Sequence, residues 1–246
     1  MNILRKLTRW LRSLFKREKK ETTPAYRLLW QSVAVRDYSD RWQVCPHGPS
    51  AWNSHAGGRP VEYIGFTRFD CLRVGDTYQT TALRTTEAYG DGRFECEARF
   101  QGGKGTWPAI WMTHPNGAKD NYATYYEVDL SEYYEKRDTT DTTFHFPKSM
   151  RKETKSVNTK TPVKDGWNHF ACEWDETSIR VYINGRKVME IKNNGNPDTF
   201  PVRPEDRTFQ VILSMQYGNK WLSDVDLSEL PLWMDVRNVK FFEKIA

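Results

Sequence analysis

The chain has 246 residues, of which 28% are charged and 14% aromatic, and its formal net charge is +5. This length suffices for one large domain and does not require a second core. Residues 1–20 alone carry a charge of +7, which leaves −2 for the rest of the chain, so the body lacks the basic surface of a nucleic-acid-binding fold.

The first twenty residues have the pattern of a basic amphipathic helix. Leucines recur at helical spacing, with basic residues between them, at Leu4, Leu7, Leu11 and Leu14. The segment has no apolar run long enough for a signal peptide or a membrane span, so we expect a cytoplasmic or particle-associated protein, or one released by lysis. The helix could dock on an anionic membrane surface, bind a partner protein or cap its own domain. We assign residues 1–25 to helix and linker, and residues 26–246 to the folded body.

The body shows the pattern of an all-β domain, and we expect a two-sheet antiparallel β-sandwich. Short runs of β-branched and aromatic residues alternate with turn residues, without helical periodicity. The clearest hairpin spans residues 178–192, where the Asn184-Gly185 pair favours a type I′ turn. A second pair of strands is predicted at residues 93–100 and 107–112, joined by a glycine-containing segment.

The four cysteines are widely spaced and form no C-x-x-C pair, which argues against a zinc site; they are Cys45, Cys71, Cys96 and Cys172. We interpret them as buried, reduced thiols that pack as small apolar residues. No metal and no cofactor are expected.

The most informative stretch contains three acids, Glu127, Asp129 and Glu132. Glu127 and Asp129 are two residues apart, so in a strand they share one face. Glu132 would point to the opposite face unless one bulge residue near Leu130 or Ser131 returned it. A row of buried acids retains a proton on one member, as in retaining glycosidases, whose two carboxyl groups lie roughly 5–5.5 Å apart. The alternative is an exposed strand edge that carries acids for solubility.

Four blocks of sequence in a fixed order surround and include this strand. The acids stand in Glu-Val-Asp-Leu-Ser-Glu, and the other blocks are residues 89–112, 166–188 and 209–242. Together they resemble family 16 of the glycoside hydrolases, in its laminarinase and agarase branch with a bulged E-x-D-x-x-E strand. The resemblance covers residues 28–243 and implies a jelly roll of the concanavalin or lectin type.

The resemblance also implies roles for individual residues. Glu127 would be the nucleophile, Glu132 the acid/base, and Asp129 the acid that tunes Glu127. Substrate-binding residues would be Trp107, Trp111, His145, Gln216 and Trp221. The implied function is a retaining endo-hydrolase that cleaves internal β-linkages of a glucan or galactan through a glycosyl-enzyme intermediate. Ser131 and Tyr126 depart from the family pattern, which usually has an apolar residue and a Gly or Trp at these positions.

Two other classes of function are open at this stage. One is a non-catalytic carbohydrate-binding protein on the same fold, and the other is a structural protein that docks through its basic helix. The intact set of three acids favours the enzyme. We expect a monomer that binds polysaccharide and no nucleic acid, with membrane or protein docking through residues 1–20.

Overall fold

The computed structural model describes residues 25–34, 38–45, 58–117, 119, 121–135, 138–217 and 222–245. The regular structure of these residues is almost entirely strand, and the domain is all-β as predicted. The predicted basic helix of residues 1–20 lies outside the described residues. Across the ranges given above, no helix has the length and apolar character needed to cross a membrane.

The described residues form sixteen strands and three short helical segments. The strands are β1 (Ala25–Ser32), β2 (Trp42–Val44), β3 (Val61–Tyr63), β4 (Phe66–Val74), β5 (Thr77–Thr80), β6 (Ala82–Thr85), β7 (Gly92–Gln101), β8 (Thr106–Thr113), β9 (Glu127–Glu132), β10 (Thr139–His145), β11 (Val157–Pro162), β12 (Asn168–Trp174), β13 (Ser178–Ile183), β14 (Arg186–Lys192), β15 (Gln210–Tyr217) and β16 (Leu232–Ile245). The helical segments are α1 (Tyr38–Arg41), α2 (Pro147–Met150) and a 3-10 helix at Pro204–Arg207.

The strands belong to two antiparallel sheets that pack into a sandwich. The nine-stranded sheet has the order β14-β13-β12-β7-β16-β4-β3, with β1 beside β16 and β5 beside β4. The seven-stranded sheet has the order β11-β10-β9-β8-β15-β6-β2, so β9, the strand with the three acids, lies inside it between β8 and β10. An interior strand is held on both sides by hydrogen bonds, which suits it to position reactive side chains.

The core lies between the two sheets and follows the period of two along each strand. In β7, Phe94, Cys96 and Ala98 are fully buried, whereas Arg93 and Glu95 point outward and are partly exposed. The seven-stranded sheet contributes apolar residues of its own inner face to the same cluster. Burial of each large apolar side chain contributes about 1.5–3 kcal/mol, so this alternation fixes which face of each strand is free for function.

The predicted hairpin at residues 178–192 is confirmed. Strands β13 and β14 pair with each other, and the two residues between them have φ of 52° at Asn184 and 78° at Gly185. A type I′ turn requires a positive φ at both central positions, which asparagine and glycine tolerate best.

The second predicted pair of strands exists, but its two members are not partners. Strand β7 pairs with β12 and β16 in the nine-stranded sheet, whereas β8 pairs with β9 and β15 in the seven-stranded sheet. The intervening glycines therefore connect the two sheets rather than close a hairpin. A Cβ atom at Gly102 would lie 1.9 Å from the carbonyl oxygen of Glu135, so this connection needs glycine for close packing.

All four cysteines are free and buried, as predicted. Burial raises the pKa of Cys45 to about 11 and that of Cys71 to about 12. Thiols with such pKa values are protonated at neutral pH and are poor nucleophiles, so the cysteines are packing residues.

Candidate active site

A β-bulge in β9 places all three acids on one face of the seven-stranded sheet. Between Asp129 and Glu132, β9 advances by three residues, while its neighbours β8 and β10 each advance by two. The extra residue lies at Leu130 or Ser131, where the sequence predicted it, and it returns Glu132 to the face of Glu127 and Asp129. The apolar residues of the strand, Val128 and Leu130, are fully buried in the core on the other side.

Ser131 completes the bulge on the core side of the strand. Its side chain is fully buried, and its Oγ lies 2.7 Å from Oγ1 of Thr140 on β10. A buried hydroxyl is tolerated when it has a hydrogen-bond partner, which explains how a serine replaces the usual apolar residue. The neighbouring departure, Tyr126, is also buried, and its hydroxyl donates to the carbonyl of Pro197.

Glu127 lies between a tyrosine and a histidine. Tyr125 Oη donates to Glu127 Oε2 over 2.7 Å. His145 Nε2 is 3.9 Å from Glu127 Oε1 and 3.4 Å from Asp129 Oδ2. The other ring nitrogen, Nδ1, lies 2.7 Å from Ser156 Oγ, which fixes the orientation of the imidazole. The structure therefore places His145 beside Glu127 and Asp129.

Glu132 is held by two hydroxyl groups. Tyr134 Oη donates to its Oε1 over 2.6 Å, and Thr143 Oγ1 donates to its Oε2 over 2.9 Å. Asn158 Nδ2 in turn donates to Thr143 Oγ1 over 2.9 Å. Because the threonine oxygen accepts from the amide, its own proton is directed at Glu132.

Burial raises the pKa of each of the three acids above its ordinary value. The charge of Asp129 adds to this effect at Glu127 and at Glu132. Asp129 Oδ2 is buried and accepts no hydrogen bond from the residues that the structure describes. Three buried carboxyl groups at this spacing titrate together and retain a proton near neutral pH. The site thus offers both a proton donor and a carboxylate.

Two tryptophans on β8 lie on the same face as the acids. Trp107 is 8% exposed, and its ring centroid lies 5.3 Å from that of Tyr134. Trp111 is partly exposed, and its Nε1 donates to Ser214 Oγ over 3.1 Å. Both belong to small apolar clusters separate from the core between the sheets. The partly exposed ring of Trp111 is the better platform for the apolar face of a sugar.

Gln216 also lies on this face, and its side chain is buried beside the tryptophans. It is the register partner of Trp107, and its Nε2 donates to Ser214 Oγ over 3.2 Å. Its Oε1 is buried and has no hydrogen-bond partner among the described residues, so it is available to a ligand hydroxyl. Trp221, the remaining predicted substrate-binding residue, lies outside the described residues.

A cavity of about 330 Å³ opens beside Glu132, within the range of roughly 300–1,000 Å³ typical of ligand pockets. Its lining residues are Glu132, Tyr134, Asp141, Thr143, His145, Asn158 and Leu222. Sequence reasoning missed Tyr125, Tyr134, Thr143, Ser156 and Asn158. The two tyrosines had a signal, because each stands two residues from a glutamate, the spacing that shares one face of a strand. The other three are recognised only once the pairing of β9, β10 and β11 is known.

Three of these side chains also have the chemistry of metal ligands. Glu127, Asp129 and His145 each present one ligand atom, and the three atoms lie within 4.8 Å of one another. Carboxylates and imidazole suit several divalent metals. The expectation that the protein uses no metal stays a prediction.

Comparison with known proteins gives matches in sequence and in fold. The sequence model of Glycosyl hydrolases family 16 matches residues 64–229, which include all three acids. A keratan-sulfate endo-1,4-beta-galactosidase from Sphingobacterium multivorum is 23% identical over 240 residues, covering 90% of this chain and 56% of that enzyme. This chain therefore spans little more than half of that relative's length. A beta-glucanase from Rhodothermus marinus is 24% identical over 266 residues, covering 94% of this chain and 90% of that enzyme.

Among solved structures, the laminarinase from Rhodothermus marinus has a similar fold. The TM-score is 0.78 at 21% sequence identity, and the match covers 91% of this chain and 100% of that one. The predicted jelly-roll sandwich is confirmed by this likeness.

Proposed function

The chain belongs to glycosyl hydrolase family 16, and from this membership we propose that it cleaves internal linkages of a β-linked glucan or galactan with retention of anomeric configuration. Glu127 is the nucleophile, Glu132 is the acid/base, and Asp129 tunes both. The observation that carries this proposal is the bulge in β9, because it alone brings the three acids onto the cleft face. A row of acids kept only for solubility would not be buried.

In the first step, Glu132 gives its proton to the glycosidic oxygen while the Glu127 carboxylate attacks the anomeric carbon. The C–O bond to the leaving sugar breaks, and a covalent glycosyl-enzyme forms. In the second step, the Glu132 carboxylate takes a proton from water, whose oxygen attacks the same carbon and releases Glu127. The bond to Glu127 breaks, and the product keeps its original configuration after two inversions.

The surroundings of the two glutamates support this division of roles. Burial and the charge of Asp129 raise the pKa of Glu132, which keeps a proton on this group for the first step. The same causes raise the pKa of Glu127, but Glu127 is the glutamate nearer to His145, whose Nε2 lies 3.9 Å from its Oε1. A positive charge on this imidazole would favour the ionised carboxylate that the nucleophile needs.

The experiment that tests the proposal combines product stereochemistry with a single substitution. Wild-type protein is incubated with laminarin, lichenan, agarose and keratan sulfate, and new reducing ends are measured while NMR follows the first anomer formed. We expect β-configured product, and we expect Glu127→Gln to lower the rate by about a thousandfold or more, because an amide cannot form the covalent bond. Glu190→Gln, at an exposed position of the edge strand β14 in the other sheet, is the matched control and should keep full activity.

Two results would contradict the proposal. An inverted first product would exclude the double-displacement mechanism. A Glu127→Gln rate above about 1% of wild type would exclude Glu127 as the nucleophile, because loss of a covalent nucleophile costs several orders of magnitude.

A further inference from the structure

One segment of the body next to the cleft has a high net positive charge. Residues 148–164 contain six lysines and arginines and one acid, for a net charge of +5. Since residues 1–20 carry +7 and the whole chain carries +5, the remaining residues have a net charge of −7. The body is therefore acidic apart from one strongly basic segment at its edge. Binding of a neutral ligand does not require such a separation of charge.

Strand β11 brings part of this segment onto the cleft face. Lys160 is the register partner of Asp141, which is itself the partner of Glu132, so Lys160 lies two strands from the acid/base. This corresponds to about 10 Å at the usual strand spacing. Its neighbour on the same face, Asn158, lines the cavity. Lys160 is therefore placed to meet a polymer that extends from the cavity over β11.

The lysines of the segment have no counter-ion among the residues that the structure describes. Arg151 pairs with Glu153 and Asp198. Within the part of the chain that the structure describes, no carboxylate lies within ion-pair distance of the five lysines, which are Lys148, Lys152, Lys155, Lys160 and Lys164. Unpaired ammonium groups on one edge attract an anionic polymer over about one Debye length, roughly 8–10 Å in physiological salt.

A second cation lies on the opposite side of the acids. Asp129, Trp111, Ile212 and Arg84 are successive register partners, which places Arg84 three strands from Asp129, about 14 Å away. Arg84 Nε is buried and has no hydrogen-bond partner in the described ranges. A buried guanidinium donor without a partner is costly, and an anionic oxygen is the partner that satisfies it best.

We propose that the polysaccharide bound in this cleft is a polyanion, with sulfate or carboxylate groups that contact Lys160 on one side of the cleavage point and Arg84 on the other. This inference rests on the proposed function and names the substrate class of the same site. Anionic groups on the sugars at the cleavage point would be repelled by the three acids. Flanking cations two and three strands away instead favour a chain whose charged groups lie on the sugars to either side.

Binding can be tested apart from turnover by using the full chain with the Glu127→Gln substitution. Dissociation constants are measured by affinity electrophoresis in gels that contain keratan sulfate, κ-carrageenan, their chemically desulfated forms, or hyaluronan. Comparison of each sulfated polymer with its desulfated form measures the contribution of sulfate groups to binding on an unchanged sugar backbone. Hyaluronan measures the contribution of carboxylate groups. We expect at least about tenfold tighter binding to one of the polyanions than to the desulfated polymers, with a loss of this difference in high salt.

The variants then locate the interaction. Lys155→Gln with Lys160→Gln, and separately Arg84→Gln, should each weaken binding to the preferred polyanion by about three- to tenfold and leave binding to desulfated polymer unchanged. Lys192→Gln, an exposed lysine at the edge of the other sheet, is the matched control and should have no effect. The basic residues 1–20 are present in every variant, so differences between variants do not arise from them.

Three outcomes would overturn the inference: no preference for any polyanion, a preference that the double lysine variant retains in full, or an equal loss in Lys192→Gln. If wild type cleaves neutral laminarin with retention while the preference is absent, the inference fails and the proposed function stands. If the lysine-dependent preference is present while wild type cleaves none of these polymers, the proposed hydrolase function fails instead.

Discussion

Tyr134 Oη donates a hydrogen bond to Glu132 Oε1 over 2.6 Å. An equivalent bond of 2.7 Å joins Tyr125 Oη to Glu127 Oε2. Each glutamate therefore has its own phenol, two residues away along the chain. Burial raises the pKa of both tyrosines, so both remain protonated donors at neutral pH. This pairing makes it feasible to shift the pKa of one glutamate without changing the donor to the other.

The Tyr134→Phe variant should move the alkaline limb of the pH profile. The hydroxyl stabilises the ionised form of Glu132, so its loss raises the pKa of Glu132 further, from about 8. A hydrogen bond to a charged group contributes about 1.5–3 kcal/mol, which predicts an upward shift of about one to two pH units in the alkaline limb of kcat/KM. The profile is measured from pH 4 to pH 10 on the preferred polymer, and the acidic limb should stay in place.

The Tyr125→Phe variant is the matched comparison and should move the other limb. Loss of its hydroxyl raises the pKa of Glu127, which must be ionised to attack. The acidic limb of the pH profile should therefore shift to higher pH. If Tyr125→Phe shifted the alkaline limb and Tyr134→Phe the acidic one, the roles of Glu127 and Glu132 would be exchanged.

Asp129→Asn should stabilise the protein at neutral pH while impairing catalysis. The unfolded chain releases the Asp129 proton near pH 4, whereas burial raises the folded-state pKa to about 8. Between these values the folded state holds the additional proton, so wild-type stability falls as the pH rises. Asparagine has no proton to lose. We expect a gain of roughly 1–3 kcal/mol in unfolding free energy at pH 7, several degrees in Tm, and almost none at pH 4.

Asp235→Asn is the control, and it should lower the unfolding free energy at pH 7 rather than raise it. Asp235 is also fully buried, but Arg68 and Arg99 pair with it at 2.7 Å and 2.9 Å. Removing its charge leaves two arginines without their partner, which destabilises the fold at pH 7. Thermal unfolding of both variants is followed at pH 4 and pH 7. A lower Tm for Asp129→Asn at pH 7 would show that Asp129 is held as a stabilising anion.

Trp111→Ala should weaken substrate binding more than it weakens the fold. The indole is partly exposed on the cleft face, and Trp111 is the register partner of Asp129 on the neighbouring strand. Loss of one stacking platform predicts a rise in KM of about tenfold, equivalent to roughly 1.4 kcal/mol, with a smaller change in kcat. Trp233→Ala removes a partly exposed indole from the other sheet, where Arg68 stacks on it, and should leave KM unchanged. Equal KM values for wild type and Trp111→Ala would remove Trp111 from the substrate site.

Local patterns in the sequence predicted the parts of the fold that depend on neighbouring residues. The type I′ turn followed from Asn184-Gly185, because few residue pairs accept two positive φ angles. The bulge in β9 followed from the acids themselves, since Glu132 shares a face with Asp129 only if one residue is added. The turn and the bulge each depend only on residues within one short segment, so they can be predicted without knowing which strands pair.

The remaining features depend on which strands become neighbours. The glycines between β7 and β8 suit a hairpin as well as a crossing between sheets, and the two are distinguished only by the strands with which β7 and β8 pair. Ser156 reaches His145 because β11 folds back beside β10, a pairing that the spacing of the two residues does not encode. The hydrogen-bond partners of the three acids and of His145 were therefore harder to predict than these residues themselves.

Azide rescue separates the nucleophile from the acid/base. Without Glu132, a substrate with a poor leaving group lacks its proton donor, but an activated aryl β-glycoside needs little protonation and still forms the glycosyl-enzyme. Glu132→Ala should therefore accumulate this intermediate, because no base remains to activate water. Added azide needs no base, so it should attack the intermediate, raise turnover and release a β-glycosyl azide with retained configuration.

In Glu127→Ala no covalent intermediate can form, and azide occupies the space that the nucleophile leaves. It should displace the leaving group directly from that side, with Glu132 still donating the proton, and yield the α-glycosyl azide. The anomers are distinguished by NMR of the isolated products, and wild-type protein with azide is the control for background capture. Each configuration reports which face of the sugar a deleted carboxylate occupied. A β-azide from Glu127→Ala and an α-azide from Glu132→Ala would reverse the assignment, since the stereochemistry depends only on which group attacks the anomeric carbon.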